Sequence, residues 1–574
     1  MSENKQEDLG MSKVEMIEAR TDKDGSPPNE LQQELHGTAE EKTTVKAWLS
    51  IFFLALSFGG PFWATPTTAA IASQLLAKFG QVELAAWVVP CITTAAAVSI
   101  LLFGANSDLF GRRYFLLAAN VMTAIGYIIC ALANSTSMLI AGLVFNGVGS
   151  GICGIALIAV PELIPNRYRH IGVVLADAVV YIMIVIGPIA SRYAIIHPGD
   201  AWRFLYWAGF IVEVVATVGL FFLYHPPKHP RGIPWKEALR GLDWIGGVLF
   251  TIGAVLVLSG IVNTSYLKST SPKVLVCLCV GFVVIIVFGA WEKFGRVKYK
   301  LCPPEIFTSH RGREFTVPFF LTFILVGFFY GTAVIYPTML NSFYIGPTTS
   351  VSEELLLTLP NSLPIPIGAT LLSVFGNKIG HWKWQMVVST FSLVLWGSLL
   401  AMITPNNKAI IVTFVALCQA SYGWSVYLSV TYTQLGVPQE MLGVSGGLAG
   451  TARYAGGAVA AACYSSAIAN GIATKGAEII PRAALDAGLP ANLVPQVLAA
   501  ASQGAAALSK IPGVSQEVID AVGTAYKNAA LASMAFGVVG IILALLCEGI
   551  ESKMTKKIEV FLENDAFADK NKYH

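Results

Sequence analysis

Asp108, Arg112 and Arg113 stand in the run Gly104-Ala105-Asn106-Ser107-Asp108-Leu109-Phe110-Gly111-Arg112-Arg113-Tyr114, with apolar sequence on both sides. A carboxylate at that spacing can accept from exposed helix N-termini, and the arginines can latch onto carboxylates and hold the loop on one face. Gly104 and Gly111 permit a tight turn there. Three further ionisable residues, Asp177, Glu213 and Arg453, fall inside apolar runs. Such groups cost several kcal/mol in hydrocarbon unless paired or hydrated, so each is a functional candidate. Glu213 and Arg453 lie roughly 16 Å into their runs and Asp177 roughly 9 Å from the end of its run, at about 1.5 Å per residue. The midplane depth makes Glu213 the first candidate for a carboxyl that takes up and releases a proton, with Asp177 second; a buried structural pair is the alternative for both. Arg453, among Gly446, Gly447, Gly450, Gly456 and Gly457, is either a substrate ligand or a tie in helix packing.

The elements that must hold these groups are helices in lipid. The chain of 574 residues is 55% hydrophobic and 13% charged, against about a quarter charged in soluble domains. Its net charge of +3 gives no argument for nucleic acid as a partner. A span needs about 20 apolar residues, and runs of that kind fall at 46–65, 84–104, 114–134, 138–160, 171–191, 202–224 and 243–263, then 274–294, 316–340, 354–375, 385–404, 409–432, 443–468 and 529–549. The expectation is fourteen spans in an all-α, polytopic, multi-pass membrane protein. An even count puts both termini on one side. Lys and Arg concentrate in the loops on that side, including Arg112, Arg113, Arg167, Arg169, Lys236 and Arg240, which makes it cytoplasmic. Residues 1–44 hold 5 Lys+Arg against 11 Asp+Glu with no apolar period, as in a disordered tail, and lack the pattern of a secretory signal. Two sequons, at Asn134 and Asn263, fall in loops that this topology puts outside, where they are candidate glycosylation sites. Residues 471–528 are Ala-rich and broken by Pro481, Pro490, Pro495 and Pro512. Leu493–Ala507 and Val514–Tyr526 read there as amphipathic helices, serving as a spacer or as a lid over the outer mouth. The nine cysteines show no metal-ligand spacing, no phosphate loop of the form G-x-x-x-x-G-K-[ST] is present, and no catalytic cluster emerges. The expectation is a protein without metal or cofactor and not an enzyme.

The order G-x-x-x-D-x-x-G-R-R at 104–113 resembles the loop signature of the major facilitator superfamily, and the resemblance extends over about 45–550. It implies two six-helix bundles, with fourteen spans adding two extra central helices. The expected units are 1–44, a disordered cytoplasmic tail; 45–224, the N-terminal bundle; 225–295, the linker spans; 296–470, most of the C-terminal bundle; 471–528, the outer loop; 529–550, the last span; and 551–574, a cytoplasmic tail. Pro161-Glu162-Leu163-Ile164-Pro165 with Arg167 and Arg169 resembles the acidic end of the superfamily's fourth helix. Glu162 is then either a gate ion-pair partner or an acid solvated at a helix end. Gly187-Pro188 is similar to the kink of the superfamily's antiporters, although Ile189-Ala190-Ser191-Arg192 departs from the small residues that follow it there. Asp243-Trp244-Ile245-Gly246 resembles the drug:proton antiporter branch. Phe145-Asn146-Gly147-Val148-Gly149, Gly376–Gln385 and the outer-loop text around Pro490 and Pro512 most resemble the fungal trichothecene efflux pump family.

That resemblance implies secondary active export of a small organic molecule, a fungal secondary metabolite, toxin or drug, across the plasma membrane with protons as the coupling ion. Uptake of a siderophore–iron complex, as in a related family, is the alternative. Many proton-coupled relatives carry an arginine four residues before the glycine of the fourth span; Leu143 stands there instead, so either coupling uses other groups or the protein is not proton-driven. A cavity for a bulky amphipathic ligand is expected from the break Gly59-Gly60-Pro61-Phe62-Trp63 in the first span, with Phe62, Trp63, Asn146, Phe329, Tyr330, Gln419, Trp424 and Arg453 as lining candidates.

Overall fold

The computed structural model describes residues 43–571 apart from 82–83, 85–86, 198, 228–233, 265–266, 268–269, 346–348, 403–406, 472–475, 502–510, 512, 515–517 and 519–535. Among these, twelve helices are long and apolar enough to cross a membrane: α1 Val45–Ala72, α2 Val88–Phe110, α3 Arg113–Ala131, α4 Thr136–Glu162, α5 Asn166–Ile195, α6 Arg203–Leu223, α7 Trp244–Asn263, α8 Pro272–Phe294, α9 Thr316–Pro337, α10 Ser352–Ile379, α11 Trp382–Met402 and α12 Lys408–Leu435. The thirteenth run is a helix of 30 residues, α13 Leu442–Gly471, whose glycines, serines and Arg453 lower its apolarity. The fourteenth is described only as the short apolar helix α14 Phe536–Leu546, because 519–535 lie outside the described residues.

Local sequence sets the boundaries. The Thr44 hydroxyl accepts from the Ala47 amide (3.2 Å) and Ser135 from that of Met138 (3.3 Å), capping α1 and α4, while Asp243 caps α7 through the Gly246 amide (2.8 Å). These caps satisfy amides that have no partner within their helix. α1 tightens into one 3-10 turn at Gly60–Trp63. The Tyr127 hydroxyl then donates to the Gly60 carbonyl at 2.7 Å, which matters because an unpaired backbone group in the hydrocarbon is costly. α5 is interrupted at Asp177, between Arg169–Ala176 and Ala178–Ile196, and runs unbroken through Pro188. That interruption lies ten residues before Gly187, and the helix continues through the Gly187-Pro188 pair, where a kink was expected. Gly187 packs α5 closely onto Pro66 and Thr67 of α1.

α1–α6 pack on one another, as do α9–α13, and α2 lies along α13 where the two sets meet. α7 and α8 pair with each other, and α7 touches α2 and α13 from outside. Only 17% of the most apolar stretch of α8 is buried, against 83% for α4, so α8 is peripheral, with Val276, Val280, Phe282, Val283 and Val287 exposed on its outer face. At the end of the α9–α13 set remote from Asp108, the helices Ala477–Asp486 and Val494–Ala501 bury Ile480, Ala484 and Val497 against Ile335, Tyr336 and Met339. This part of the expected outer loop caps one helix set. The segments at 502–510 and 519–526, needed for the two longer amphipathic helices, lie outside the described residues.

Candidate functional site: a central cavity and the clamp beneath it

Asp108 ends α2 and reaches across to the N-terminus of α13. Its Oδ1 accepts from the Gly443 amide at 2.8 Å and its Oδ2 from that of Val444 at 3.2 Å. Arg112 Nη2 lies 3.5 Å from Asp108 Oδ1, while Nη1 is ion-paired with Glu162 at the end of α4. Glu162 also accepts from Gln439 Nε2 (2.7 Å), and Gln434 Nε2 donates to the Leu157 carbonyl (2.8 Å). Every one of these links except Asp108–Arg112 and Arg112–Glu162 joins α1–α6 to the second set. A Cβ on Gly443 would sit 2.2 Å from the Gly104 carbonyl oxygen, so the glycines let the two backbones touch. Gly111 takes φ +83°, a left-handed turn that disfavours any side chain. Arg113 faces away and donates to the Phe221 carbonyl (2.7 Å). Arg169 is buried but pairs with no acid within salt-bridge distance among the described residues. Burial lowers the basicity of Arg112, an effect that the neighbouring Asp108 opposes.

Above the clamp, a cavity of about 110 Å³ lies between the two sets of helices. Asp177, 1% exposed, accepts through Oδ2 from Arg453 Nη2 at 3.1 Å, an ion pair between α5 and α13, and its Oδ1 has no hydrogen-bond partner. One turn on, the Tyr181 hydroxyl is hydrogen-bonded to that of Tyr427 in α12. Phe329 and Tyr422 stack with centroids 4.4 Å apart. The site thus offers a carboxyl group, a guanidinium cation, phenol hydroxyls and flat aromatic faces.

Of the eight expected lining residues, Phe62, Phe329, Tyr330 and Arg453 border this cavity. The other four do not. Trp63 turns away to donate to the Leu205 carbonyl (2.7 Å), Asn146 is buried against α3, Gln419 is tied to Asn361 (2.8 Å), and Trp424 lines a separate groove on the lipid side of α10–α12. Glu213, fully buried and without a hydrogen-bond partner, stands behind the α1 break, where a Cβ on Gly60 would lie 2.3 Å from its Oε1. It does not border the cavity. Sequence reasoning missed Tyr181, Tyr454 and Phe58. The signal for Tyr181 was its place four residues after Asp177, on the same helical face.

At the remote end, Arg192 of α5 holds Glu354 of α10 through two hydrogen bonds of 2.5 and 2.9 Å. Among the described residues both ends are tied, and the cavity is far below the roughly 300–1,000 Å³ of ligand pockets. The Asn134 side chain accepts from Arg203 (2.9 Å) at an exposed turn, with sequon residue Thr136 buried; Asn263 ends α7.

A family description, "Fungal trichothecene efflux pump (TRI12)", matches residues 42–573. The chain is 39% identical over 538 residues to the MFS-type transporter prx5 of Penicillium rubens, covering 93% of this chain and 96% of the relative. It is 23% identical over 512 residues to the trichothecene efflux pump TRI12 of Fusarium sporotrichioides, covering 87% and 85%. Among solved structures it is similar in fold to the proton:xylose symporter XylE (TM-score 0.53, 13% identity, covering 90% and 99%). The human organic anion transporter MFSD10 is comparable (TM-score 0.51, 13% identity, covering 87% and 100%). The loop signature, the helix order and the paired sets of helices agree with these matches, and the chain belongs to the fungal trichothecene efflux pump family of the major facilitator superfamily.

Proposed function

We propose that this transporter exports an amphipathic secondary metabolite or toxin across the plasma membrane in exchange for protons, without acting as an enzyme, by alternating access of units 45–224 and 296–550. The extra pair at 225–295 brings the spans to fourteen. Two named relatives, a trichothecene efflux pump and an efflux-type transporter, support export over siderophore uptake. The Lys/Arg bias supports a cytoplasmic Asp108 face and cytoplasmic termini.

The observation that carries the reading is the Asp177–Arg453 pair, because it lies in the cavity and joins the two sets that must part. A proton arriving at Asp177 from the outward-open side neutralises the acid and frees Arg453 for substrate release. Loss of that proton to the cytoplasm restores the pair and resets the cavity. Asp177 therefore precedes Glu213 as the coupling carboxyl: Glu213 has no path to the cavity through the described lining, and its nearest described role is to pack the α1 break. The test uses Asp177→Asn and Glu213→Gln in proteoliposomes. Gradient-driven export collapses in the first while substrate exchange survives, and the second keeps its gradient dependence. Parental gradient dependence in Asp177→Asn removes that residue from coupling, and its loss in Glu213→Gln alone returns the role to Glu213.

A further inference from the structure

Beyond α14 the chain does not leave the protein. Glu551 Oε1 accepts from the Trp382 amide at the start of α11 (2.9 Å), and Lys553 Nζ donates to Glu314 Oε1 ahead of α9 (2.7 Å). Both anchors belong to the second set of helices. The chain then crosses to the first. The Thr555 carbonyl accepts from the Arg167 amide (2.7 Å) and the Lys557 carbonyl from that of Asn166 (3.0 Å), while the Val560 amide donates to the Glu162 carbonyl (3.2 Å) and the Glu563 amide to that of His225 (2.7 Å). Asn564 takes Lys46 on its carbonyl (2.6 Å), which reaches the start of α1. Ile558 and Leu562 are buried along the way, and Leu562 belongs to the main apolar core.

The path covers the clamp. A cavity of about 370 Å³ has Asp108, Arg112 and Glu162 on its floor and Lys557–Val560 in its wall. Glu559 accepts from Asn166 Nδ2 (2.7 Å) and acts electrostatically on buried Arg169. Arg169 Nε and Nη2 have no hydrogen-bond partner, so the Glu559 carboxyl of the tail is a nearby countercharge, although it forms no ion pair with Arg169 within salt-bridge distance. A buried cation without a countercharge is strongly destabilising.

We propose that residues 555–565 are a working part of the Asp108 gate: a strap that must let go whenever that face opens, with Glu559 as a positioning residue for Asn166 and Arg169. This rests on the reading of the clamp as a gate. When the two sets part, the strap and the turn before it cannot keep both groups of anchors, because only Met554 separates Lys553, held to the second set, from Thr555, held to the first. The second-set anchors are two polar contacts, whereas the first-set anchors combine backbone hydrogen bonds with buried Ile558 and Leu562. Losing the strap shifts the equilibrium toward the open gate by at least one net hydrogen bond, about tenfold.

The test follows gate opening in purified protein in nanodiscs, where both faces meet reagent, with peptide-resolved maleimide labelling of Ile158→Cys. Ile158 is buried where α4 meets Gly446 of α13 and lies outside the clamp. Labelling is compared in the full chain, a chain ending at Met554, full-length Leu562→Asp and full-length Asp108→Asn. The strap requires labelling about tenfold faster in the chain ending at Met554 and in Leu562→Asp. If the shortened chain fails to fold, Leu562→Asp decides alone. Acceleration by Asp108→Asn but by neither tail change overturns the strap and leaves the gate standing. No acceleration in any variant overturns both.

Discussion

Replacing Asp108 with Asn keeps the side-chain shape and removes its charge. In the closed state the carboxylate accepts two amides at the N-terminus of α13, Gly443 at 2.8 Å and Val444 at 3.2 Å, with Arg112 alongside. An asparagine has one acceptor oxygen, so its amide nitrogen must face the second N–H. A hydrogen bond to a charged group contributes about 1.5–3 kcal/mol, and an anion at a partly buried helix N-terminus up to about 2 kcal/mol. The two overlap because the same amides carry both. A net loss of about 2–3 kcal/mol is expected, which favours the open gate by about 30- to 140-fold. The loss falls on the closed state alone, since α13 and Asp108 separate when the gate opens. Maleimide labelling of Ile158→Cys should rise by that factor, the melting temperature should stay near that of the parent, and steady-state export should fall as molecules accumulate open toward the Asp108 face. A labelling rate within twofold of the parent would refute the clamp's role in holding the two sets together.

Gly443→Ala should open the same gate by sterics instead of charge. Its Cβ would fall 2.2 Å from the Gly104 oxygen, and electron–electron distances between α2 and α13 should broaden or lengthen; an unchanged distribution would show that the close approach is dispensable. Arg192→Ala should change export less than tenfold, because its pair with Glu354 is 48% and 21% exposed and such pairs contribute about 1 kcal/mol or less; a loss as large as that of Asp108→Asn would contradict this ranking. Arg453→Gln leaves Asp177 buried with no cationic partner among the described residues and should lower thermal stability, by about 3–5 kcal/mol if the acid stays charged, whereas the double change with Asp177→Asn should recover most of it. A double variant no more stable than Arg453→Gln would show that the two side chains are not coupled.

The clamp was legible because its chemistry is local. Gly104, Asp108, Gly111 and Arg112 lie within ten residues, so charge and turn requirements sit in one window of sequence. Twelve of the expected spans were legible for a similar reason, since lipid imposes length and apolarity on each helix separately. What Asp108 holds was not legible, because Gly443 and Val444 lie more than 300 residues away. The cavity was read only in part. Apolar helices show weak periodicity when lipid and neighbouring helices are equally apolar, so Phe329 and Tyr330 could not be told from Trp424 or Gln419 by type or spacing. Depth along a helix likewise favoured Glu213, but the side of the helix decided its surroundings, and only packing set it behind Gly60 and put Asp177 opposite Arg453. The C-terminal residues 551–571 gave no signal, with charge and polarity like those of a loose tail. Their order arises from backbone hydrogen bonds to Asn166, Arg167 and Glu162, and any residue type can make those. Sequence determined where the chain must cross lipid and which short loop carries charge; tertiary structure decided which buried charges meet, because pairing across two sets of helices depends on rotation and approach that no single segment encodes.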